Sequence, residues 1–204
     1  MNSSARLPES RAERRKRETR DRLLAASLRV FLDRGFDAAT TAEMASAADV
    51  GAGTFYLHFK DKRDVYETIA RHAAREMIER WREKLPPGLG YGDYVALGLE
   101  TAAEFWQEDR ARARLLLEGG PTFSAEAHVE LVADLAEIIR REFSRSPRSG
   151  RVSPSVMATV ILGLGLEIGR MIVGDEMGKA RATIDGTIEV ARRAFGPARL
   201  ASPR

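Results

Sequence analysis

The 204-residue sequence contains no cysteine, which excludes disulfide bonds and thiolate metal ligands. Its three histidines lie far apart and do not form a cluster with the spacing of a metal site. A nucleophile motif and a paired arrangement of His, Asp and Glu are also missing. We therefore predict that the protein uses no metal and no cofactor, and that it is not an enzyme.

Long apolar segments without charge are scarce. The N-terminus is charged and no apolar segment follows it, so the sequence predicts no signal peptide. The most apolar stretch, Val156 to Val173, contains Glu167 and Arg170, and these charges argue against a membrane span. We expect a cytoplasmic protein that does not contact a membrane.

Alternation of apolar and polar residues, which is typical of strands, is not found either. Apolar residues instead recur every three or four positions, and loops rich in Gly, Pro and Ser separate these segments. With 44% hydrophobic residues the chain can form a packed core. We predict an all-α fold whose helices lie at about residues 19–34, 41–48, 52–59, 61–84, 91–108, 110–118, 125–144, 154–173 and 180–195.

Positive charge is concentrated at the N-terminus. The net charge is +3, and residues 1–22 alone contain eight Lys or Arg against four Asp or Glu. Residues 65–204 contain equal numbers of both signs. We predict a disordered basic arm at residues 1–17. A polyanion would attract such an arm, although a solvated tail has the same composition.

Two short helices are predicted after the first long one, which Gly35 is expected to end as a left-handed C-cap. Thr40 and Glu43 have the T-x-x-E spacing of a capping box. Asp49 lies at the turn, and Asp tolerates the left-handed conformation better than most residues. Phe55 and Phe59 share one face of the second short helix, which we expect to be buried. This arrangement is typical of a helix-turn-helix unit.

The stretch VGAGTFYLHFK, residues 50–60, contains the second short helix. It lacks the GK[ST] ending and the preceding strand of a phosphate-binding loop. Its polar side chains suit the DNA backbone instead, and Leu57 suits a thymine methyl group. Candidate phosphate contacts, including the starts of the neighbouring helices, are Thr41, Thr54, Tyr56, His58 and Lys62.

The same region resembles the DNA-binding domain of the TetR family of bacterial transcriptional repressors. The resemblance covers residues 19–66 without a gap and rests on the pattern GF…TT…IA…AGVS.GT.Y.HF..K. The matching residues are Gly35-Phe36, Thr40-Thr41, Met44-Ala45, Ala48-Asp49-Val50, Gly53-Thr54, Tyr56, His58-Phe59 and Lys62. The resemblance implies that the five candidate phosphate contacts meet DNA, and that the base-facing positions are Ala42, Gly51, Ala52 and Leu57.

Two departures from the family pattern concern DNA reading. Gly51 and Ala52 stand where members often have Ser-Lys or Ser-Arg, and Asp49 replaces the common turn glycine. We therefore expect few direct hydrogen bonds to bases, so that the basic residues 11–22 or DNA shape carry more of the specificity.

The resemblance also implies a domain organisation. It places a helix-turn-helix domain at residues 18–66, a connecting helix to about residue 85, and a helical domain for effector binding and dimerisation at residues 86–204. Gly165 and Gly169 lie on one helix face, and a second subunit or another helix of the same chain would fill it. The predicted dimer-interface residues are Gly165, Gly169, Ile184, Ile188 and Ala191.

Effector-binding candidates are the larger residues of the C-terminal helices. Aromatic side chains there belong either to an apolar pocket or to the ordinary core, and Glu167 and Arg170 are either polar groups of the pocket or solvent-exposed partners. The candidates are Tyr94, Phe105, Trp106, Phe123, His128, Glu167, Arg170 and Met171.

The sequence thus predicts a DNA-binding regulator. Our interpretation is a ligand-responsive repressor that binds a near-palindromic operator as a homodimer and is released by a small apolar molecule. The alternatives are a transcriptional activator and a constitutive DNA-binding protein without an effector. An enzyme is the third hypothesis, and turnover of a small substrate would support it.

Overall fold

The computed structural model describes residues 10–86, 88–120, 125–143, 152–174 and 180–195. All regular secondary structure in these ranges is helical, which confirms the predicted all-α fold. The helices are α1 (Arg11–Ala38), α2 (Thr41–Ala47), α3 (Ala52–His58), α4 (Lys62–Lys84), α5 (Tyr91–Glu108), α6 (Arg110–Leu117), α7 (Ala125–Phe143), α8 (Pro154–Gly174) and α9 (Arg181–Phe195). The chain forms two compact units, Met1–Ile69 and Ala70–Arg204.

Helix α1 begins eight residues before its predicted start at about Thr19. Ser10 and Glu13 form a capping box, in which the Ser10 hydroxyl accepts from the Glu13 amide at 3.2 Å. The Glu13 carboxylate in turn accepts from the Ser10 amide at 2.8 Å. Residues 11–17 of the predicted disordered arm are therefore helical, and residues 1–9 lie outside the described part of the chain.

Gly35 interrupts α1 rather than ending it. Its φ of 75° is positive as expected, but its ψ of 166° differs from that of a left-handed cap, and the helix resumes to Ala38. Only glycine takes this conformation readily. The kink brings the Phe36 ring to 5.6 Å from Phe31 and 5.3 Å from Tyr66, measured between centroids, so the partly buried Phe36 packs against two buried rings of the first unit.

The helix-turn-helix in the first unit forms for local reasons. The predicted capping box is present: the Glu43 amide donates to the Thr40 hydroxyl at 3.2 Å, and the Thr40 amide donates to the Glu43 carboxylate at 3.0 Å. The predicted left-handed turn is present at Asp49, whose φ is 54°. Phe55 and Phe59 are buried, as expected, and fix the face that α3 turns inward.

In the second unit, α5 packs against α6, α8 and α9, and α8 also packs against α6 and α7. Buried residues of α5 include Tyr94, Leu99 and Phe105. Helix α8 is the one described helix long and apolar enough to cross a membrane, but half of its apolar window is buried inside the unit. This burial is what a core helix of a globular domain shows.

The predicted dimer-interface residues are covered by helices of the same chain, which corrects that assignment. A Cβ on Gly165 would lie 3.3 Å from the Ala102 Cβ, and one on Gly169 would lie 2.6 Å from Leu117 Cδ1. The glycines thus allow α8 to approach α5 and α6. The α9 residues assigned to the interface are also buried: Ile184, Ile188 and Ala191.

Candidate nucleic-acid interface

Helix α3 presents a mixed aromatic and apolar surface to solvent. Phe55 points into the core, whereas Tyr56 is 59% exposed and Leu57 is 77% exposed. Gly51 is the N-cap and makes no side-chain hydrogen bond, and Ala52 opens the helix. The four predicted base-facing positions, Ala42, Gly51, Ala52 and Leu57, are all exposed.

The backbone-contact candidates Tyr56 and Thr41 are brought together by the fold. The Tyr56 hydroxyl lies 3.1 Å from the Thr41 hydroxyl, with either oxygen able to donate. Thr41 is the first residue of α2 and Tyr56 belongs to α3, so this contact joins the two helices of the motif at their exposed surface. One of the two hydroxyls accepts this hydrogen bond. That hydroxyl can still donate its own proton to a phosphate oxygen of DNA.

The ammonium group of Lys62 is held by the protein itself, and its contact with a phosphate stays a prediction. Its ammonium group donates to the carbonyl oxygens of Phe36, Asp37 and Ala39 at 2.9, 2.8 and 3.2 Å. These three bonds use all three of its donors. Lys62 therefore joins the start of α4 to the end of α1, where unsatisfied helix carbonyls need a partner.

His58 closes α3 and is only partly exposed. Its carbonyl oxygen accepts from Arg20 Nη1 at 2.6 Å, and the Arg20 guanidinium lies 4.2 Å from the centroid of the Phe59 ring. The buried Nδ1 atom of His58 has no hydrogen-bond partner. Burial, with smaller effects of Arg20 and Lys16, lowers the pKa of His58. The neutral imidazole therefore has only Nε2 to offer a phosphate.

Arg20 is a positioning residue that the sequence did not reveal. It anchors the C-terminal end of α3 to α1 through the carbonyl and ring contacts at His58 and Phe59. In the sequence it is one of several basic residues in a row, and nothing in the spacing distinguishes it from its neighbours.

Thr54 is half-buried, and its amide donates to the Gly51 carbonyl at 2.9 Å as part of the first turn of α3.

An open depression lies between α2 and α3. It is lined by small side chains together with the hydroxyl of Ser46 and the carboxylate of Asp49, neither of which was among the predicted DNA contacts. Its lining residues are Ala42, Ala45, Ser46, Asp49, Val50, Gly51 and Ala52. The surface between α2 and α3 is thus open and poor in long polar side chains.

The second unit contains a small apolar cavity of about 20 Å³. Two of the predicted effector residues, Trp106 and His128, line it, with His128 itself exposed. The Trp106 indole donates to the Gly165 carbonyl at 3.1 Å, so its polar atom is already engaged. The remaining lining residues are Ala70, Ala74, Met77, Leu116, Leu117, Leu131, Leu162 and Leu166.

Other predicted effector residues lie elsewhere. Tyr94 packs edge-on to Trp81 at 4.5 Å between ring centroids, inside the core. Phe105 is buried, and the guanidinium groups of Arg80 and Arg112 lie 5.1 and 4.9 Å from its ring centroid. Neither ring lines the cavity, so both take the position that the sequence left open as the alternative, in the ordinary core.

The charged candidates on α8 do not enter the cavity either. Glu167 and Arg170 are exposed and pair with each other at 3.2 Å, so they are surface partners rather than polar groups of a pocket. Met171 is half-buried and is not among the cavity residues. Phe123 lies outside the described residues.

An N-terminal helix-turn-helix unit followed by a larger helical unit defines a class of helical DNA-binding regulators. Residues 23–69 match the family described as bacterial regulatory proteins, tetR family. The match covers the helix-turn-helix of the first unit and the start of α4, so this part of the chain is similar to the DNA-binding domain of TetR-family regulators.

Named relatives agree with the assignment. The chain is 24% identical over 135 residues to YhgD, an uncharacterized HTH-type transcriptional regulator of Bacillus subtilis, covering 65% of this chain and 71% of YhgD. It is 43% identical over 56 residues to BepR, an HTH-type transcriptional repressor of Brucella suis, covering 28% of this chain and only 27% of BepR. In fold, it is similar to the regulator FadR of Bacillus subtilis in complex with stearoyl-CoA, with a TM-score of 0.62, 17% identity, and coverage of 84% and 96%.

Proposed function

We propose that this protein is a dimeric repressor that binds a near-palindromic operator and leaves it when a small apolar molecule enters the second unit. The observation that carries the proposal is the exposed pair of Tyr56 and Thr41 hydroxyls, 3.1 Å apart, beside the exposed side chain of Leu57. Such a surface combines donors for the DNA backbone with an apolar group for the major groove.

One recognition helix reads only one half-site of an operator. A homodimer supplies a second recognition helix for the other half-site. Two α3 helices related by a twofold axis would read half-sites about 34 Å apart, one turn of DNA. The interface residues predicted from the sequence are buried within a single chain. We therefore propose an interface formed by exposed positions of α8 and α9. On α9 these are small or apolar residues four apart: Ala182, Gly186, Val190 and Ala194. On α8 the exposed residues include Val156.

The proposed effector site is the cavity around Trp106. At about 20 Å³ it holds little more than one water molecule, so an organic ligand requires α6, α7 and α8 to move apart. A ligand that binds only this opened form shifts the population away from the closed form. The apolar lining favours an apolar ligand, and the structure of FadR with stearoyl-CoA offers a parallel in a protein of similar fold.

The basic start of α1 is proposed to add DNA affinity. Capping at Ser10 makes residues 11–17 helical, and this segment carries Arg11, Arg14, Arg15 and Lys16 in exposed positions. Replacing these four residues by Gln keeps the helix and removes the charge. Weaker operator binding with a smaller salt slope supports the arm. Unchanged binding would assign the whole interface to α2 and α3.

The first test is selection of binding sequences from a randomised DNA library with the full chain, followed by fluorescence anisotropy across a salt series. The proposal expects a near-palindromic sequence, two chains per duplex by sedimentation, and affinity that falls steeply with salt. Tyr56→Phe should weaken binding. Affinity indifferent to sequence and to Tyr56 would contradict the proposal.

A constitutive DNA-binding protein without an effector is a second candidate function, because the cavity is so small. A screen of apolar compounds against the operator complex separates the two. A compound that releases DNA from the wild type and fails with Leu162→Phe, whose larger side chain fills the cavity, supports effector control. DNA binding that no compound alters, together with repression that is constant in cells, supports the constitutive protein. A reporter gene distinguishes repression from activation.

A further inference from the structure

The recognition motif lacks the side chains that normally read bases by paired hydrogen bonds. Arg and Lys read guanine, and Asn and Gln read adenine, by two bonds at the major-groove edge. Residues 40–59, from the cap of α2 to the cap of α3, contain none of these four residue types. A different chemistry must therefore supply any direct readout by this motif.

The polar groups within the motif are mostly engaged. The Glu43 carboxylate accepts from the Thr40 amide and hydroxyl at 3.0 and 2.9 Å and lies 3.3 Å from Arg34. The Thr41 and Tyr56 hydroxyls contact each other. The depression between the helices retains Ser46, whose hydroxyl does not discriminate between bases, and Asp49, whose carboxylate can accept a single bond from the amino group of cytosine.

Leu57 is the most exposed large hydrophobic side chain among the described residues, at 77%. It projects from α3, the helix that enters the major groove in proteins of this fold. The exposed residues Ala42 and Ala52 add two further methyl groups on the same motif. In the major groove, the C5-methyl of thymine is the apolar group that the bases present.

We propose that this protein reads its operator chiefly through thymine methyl groups, with Leu57 as the main specificity-determining residue and Ala42 and Ala52 as supporting contacts. The inference rests on the proposed operator binding and specifies its chemistry. It follows that 5-methylcytosine, which carries a methyl group at the same ring position, replaces thymine at the contacted step better than cytosine does.

The test begins with the duplex selected from the random library, in which each thymine is replaced singly by deoxyuracil. This change removes only the C5-methyl, which lies in the major groove, so contacts of the basic start of α1 with phosphates or the minor groove are unaffected. At one or two positions in each half-site, the wild type is expected to bind the uracil duplex about 4-fold more weakly, the factor for one buried methyl group.

Two variants make the result specific. Leu57→Ala should bind the thymine duplex more weakly by a similar factor. At the position where uracil weakens wild-type binding most, Leu57→Ala should bind the thymine and uracil duplexes equally. Leu57→Met, which keeps an apolar chain of similar volume, should retain the preference for thymine. Leu57 is exposed, so both variants should fold, and circular dichroism checks this.

The possible outcomes distinguish failure of methyl reading from failure of the proposed function. A selected operator that is bound equally well with thymine and with uracil at every position overturns methyl reading and leaves the regulator intact. A thymine preference that persists undiminished at every contacted position in Leu57→Ala overturns the role of Leu57. Failure of the library to yield any preferred sequence overturns both the inference and the proposed function.

Discussion

The hydroxyl of Tyr56 on α3 lies 3.1 Å from the hydroxyl of Thr41 on α2. The first residue of one helix thus orients the most exposed aromatic ring of the other before any DNA is bound. A side chain held in place loses less conformational freedom when it contacts a phosphate.

Coupling between Tyr56 and Thr41 is the first prediction. Tyr56→Phe removes one donor and should weaken operator binding by about 1.5–3 kcal/mol, the range for a hydrogen bond to a charged group. Thr41→Val should weaken it less, and the double variant should lose less than the sum of the two single losses. Anisotropy measures all four proteins. Strict additivity would show that the two hydroxyls act independently.

A second prediction concerns Lys62 and Lys60, which differ in their surroundings. Lys62→Met leaves three helix-end carbonyls without their donor and should lower the free energy of unfolding by about 1–3 kcal/mol. Lys60→Met makes the same chemical change at an exposed position and should cost less than about 0.5 kcal/mol.

Chemical denaturation measures both lysine variants, and DNA binding distinguishes their roles. If Lys62 acts only within the protein, Lys62→Met should leave the slope of log affinity against log salt unchanged. A phosphate contact would reduce that slope by about one unit. A reduced slope with unchanged stability would support a phosphate contact of Lys62 and contradict its role within the protein.

The two glycines Gly169 and Gly163 of α8 give a third prediction. Gly169→Ala places a Cβ 2.6 Å from Leu117 Cδ1 and 2.8 Å from the Trp106 ring, so it should destabilise the protein by about 1–3 kcal/mol. Gly163 has nothing within 4 Å of its added Cβ, and Gly163→Ala should stabilise it by up to about 1 kcal/mol. Thermal unfolding of both variants checks the difference. Equal effects would contradict the described approach of α8 to α6.

Acid sensitivity linked to His58 is the fourth prediction. Burial lowers the pKa of His58 from its ordinary value of 6.5, with smaller effects of Arg20 and Lys16. Below about pH 6.5 the unfolded chain therefore binds this proton while the folded chain resists it. The contribution of His58 to the free energy of unfolding should fall as the pH falls from 6.5 through the folded pKa.

His58→Gln should lose that part of the pH dependence, whereas His72→Gln at an exposed position should keep it. Denaturation at pH 7.5 and pH 5 compares these variants with the wild type. An NMR titration that places the His58 pKa at or above 6.5 would contradict the prediction directly.

Features set by neighbouring residues could be predicted from the sequence. The capping box of Thr40 with Glu43 and the left-handed turn at Asp49 depend on groups within a few positions, and both are present. The same spacing occurs at Ser10 and Glu13, so the early start of α1 was also open to prediction.

Features set by distant contacts were not predicted. The partners of Lys62 lie 23 to 26 residues earlier in the chain, and the kink at Gly35 presents their carbonyls. Periodicity identified the glycine face of α8 but does not show whether a helix of the same chain or of another chain covers it. That choice depends on the packing of α8 against α5 and α6.

The position of Trp106 has a spectroscopic consequence. Its indole ring borders the small cavity and donates to the Gly165 carbonyl, and the only other tryptophan, Trp81, lies against Tyr94. Opening the cavity would change the hydrogen bonding and polarity around Trp106, and with them the wavelength of its emission. A Trp81→Phe protein would therefore report occupancy by intrinsic fluorescence, so that effectors can be sought before any operator sequence is known.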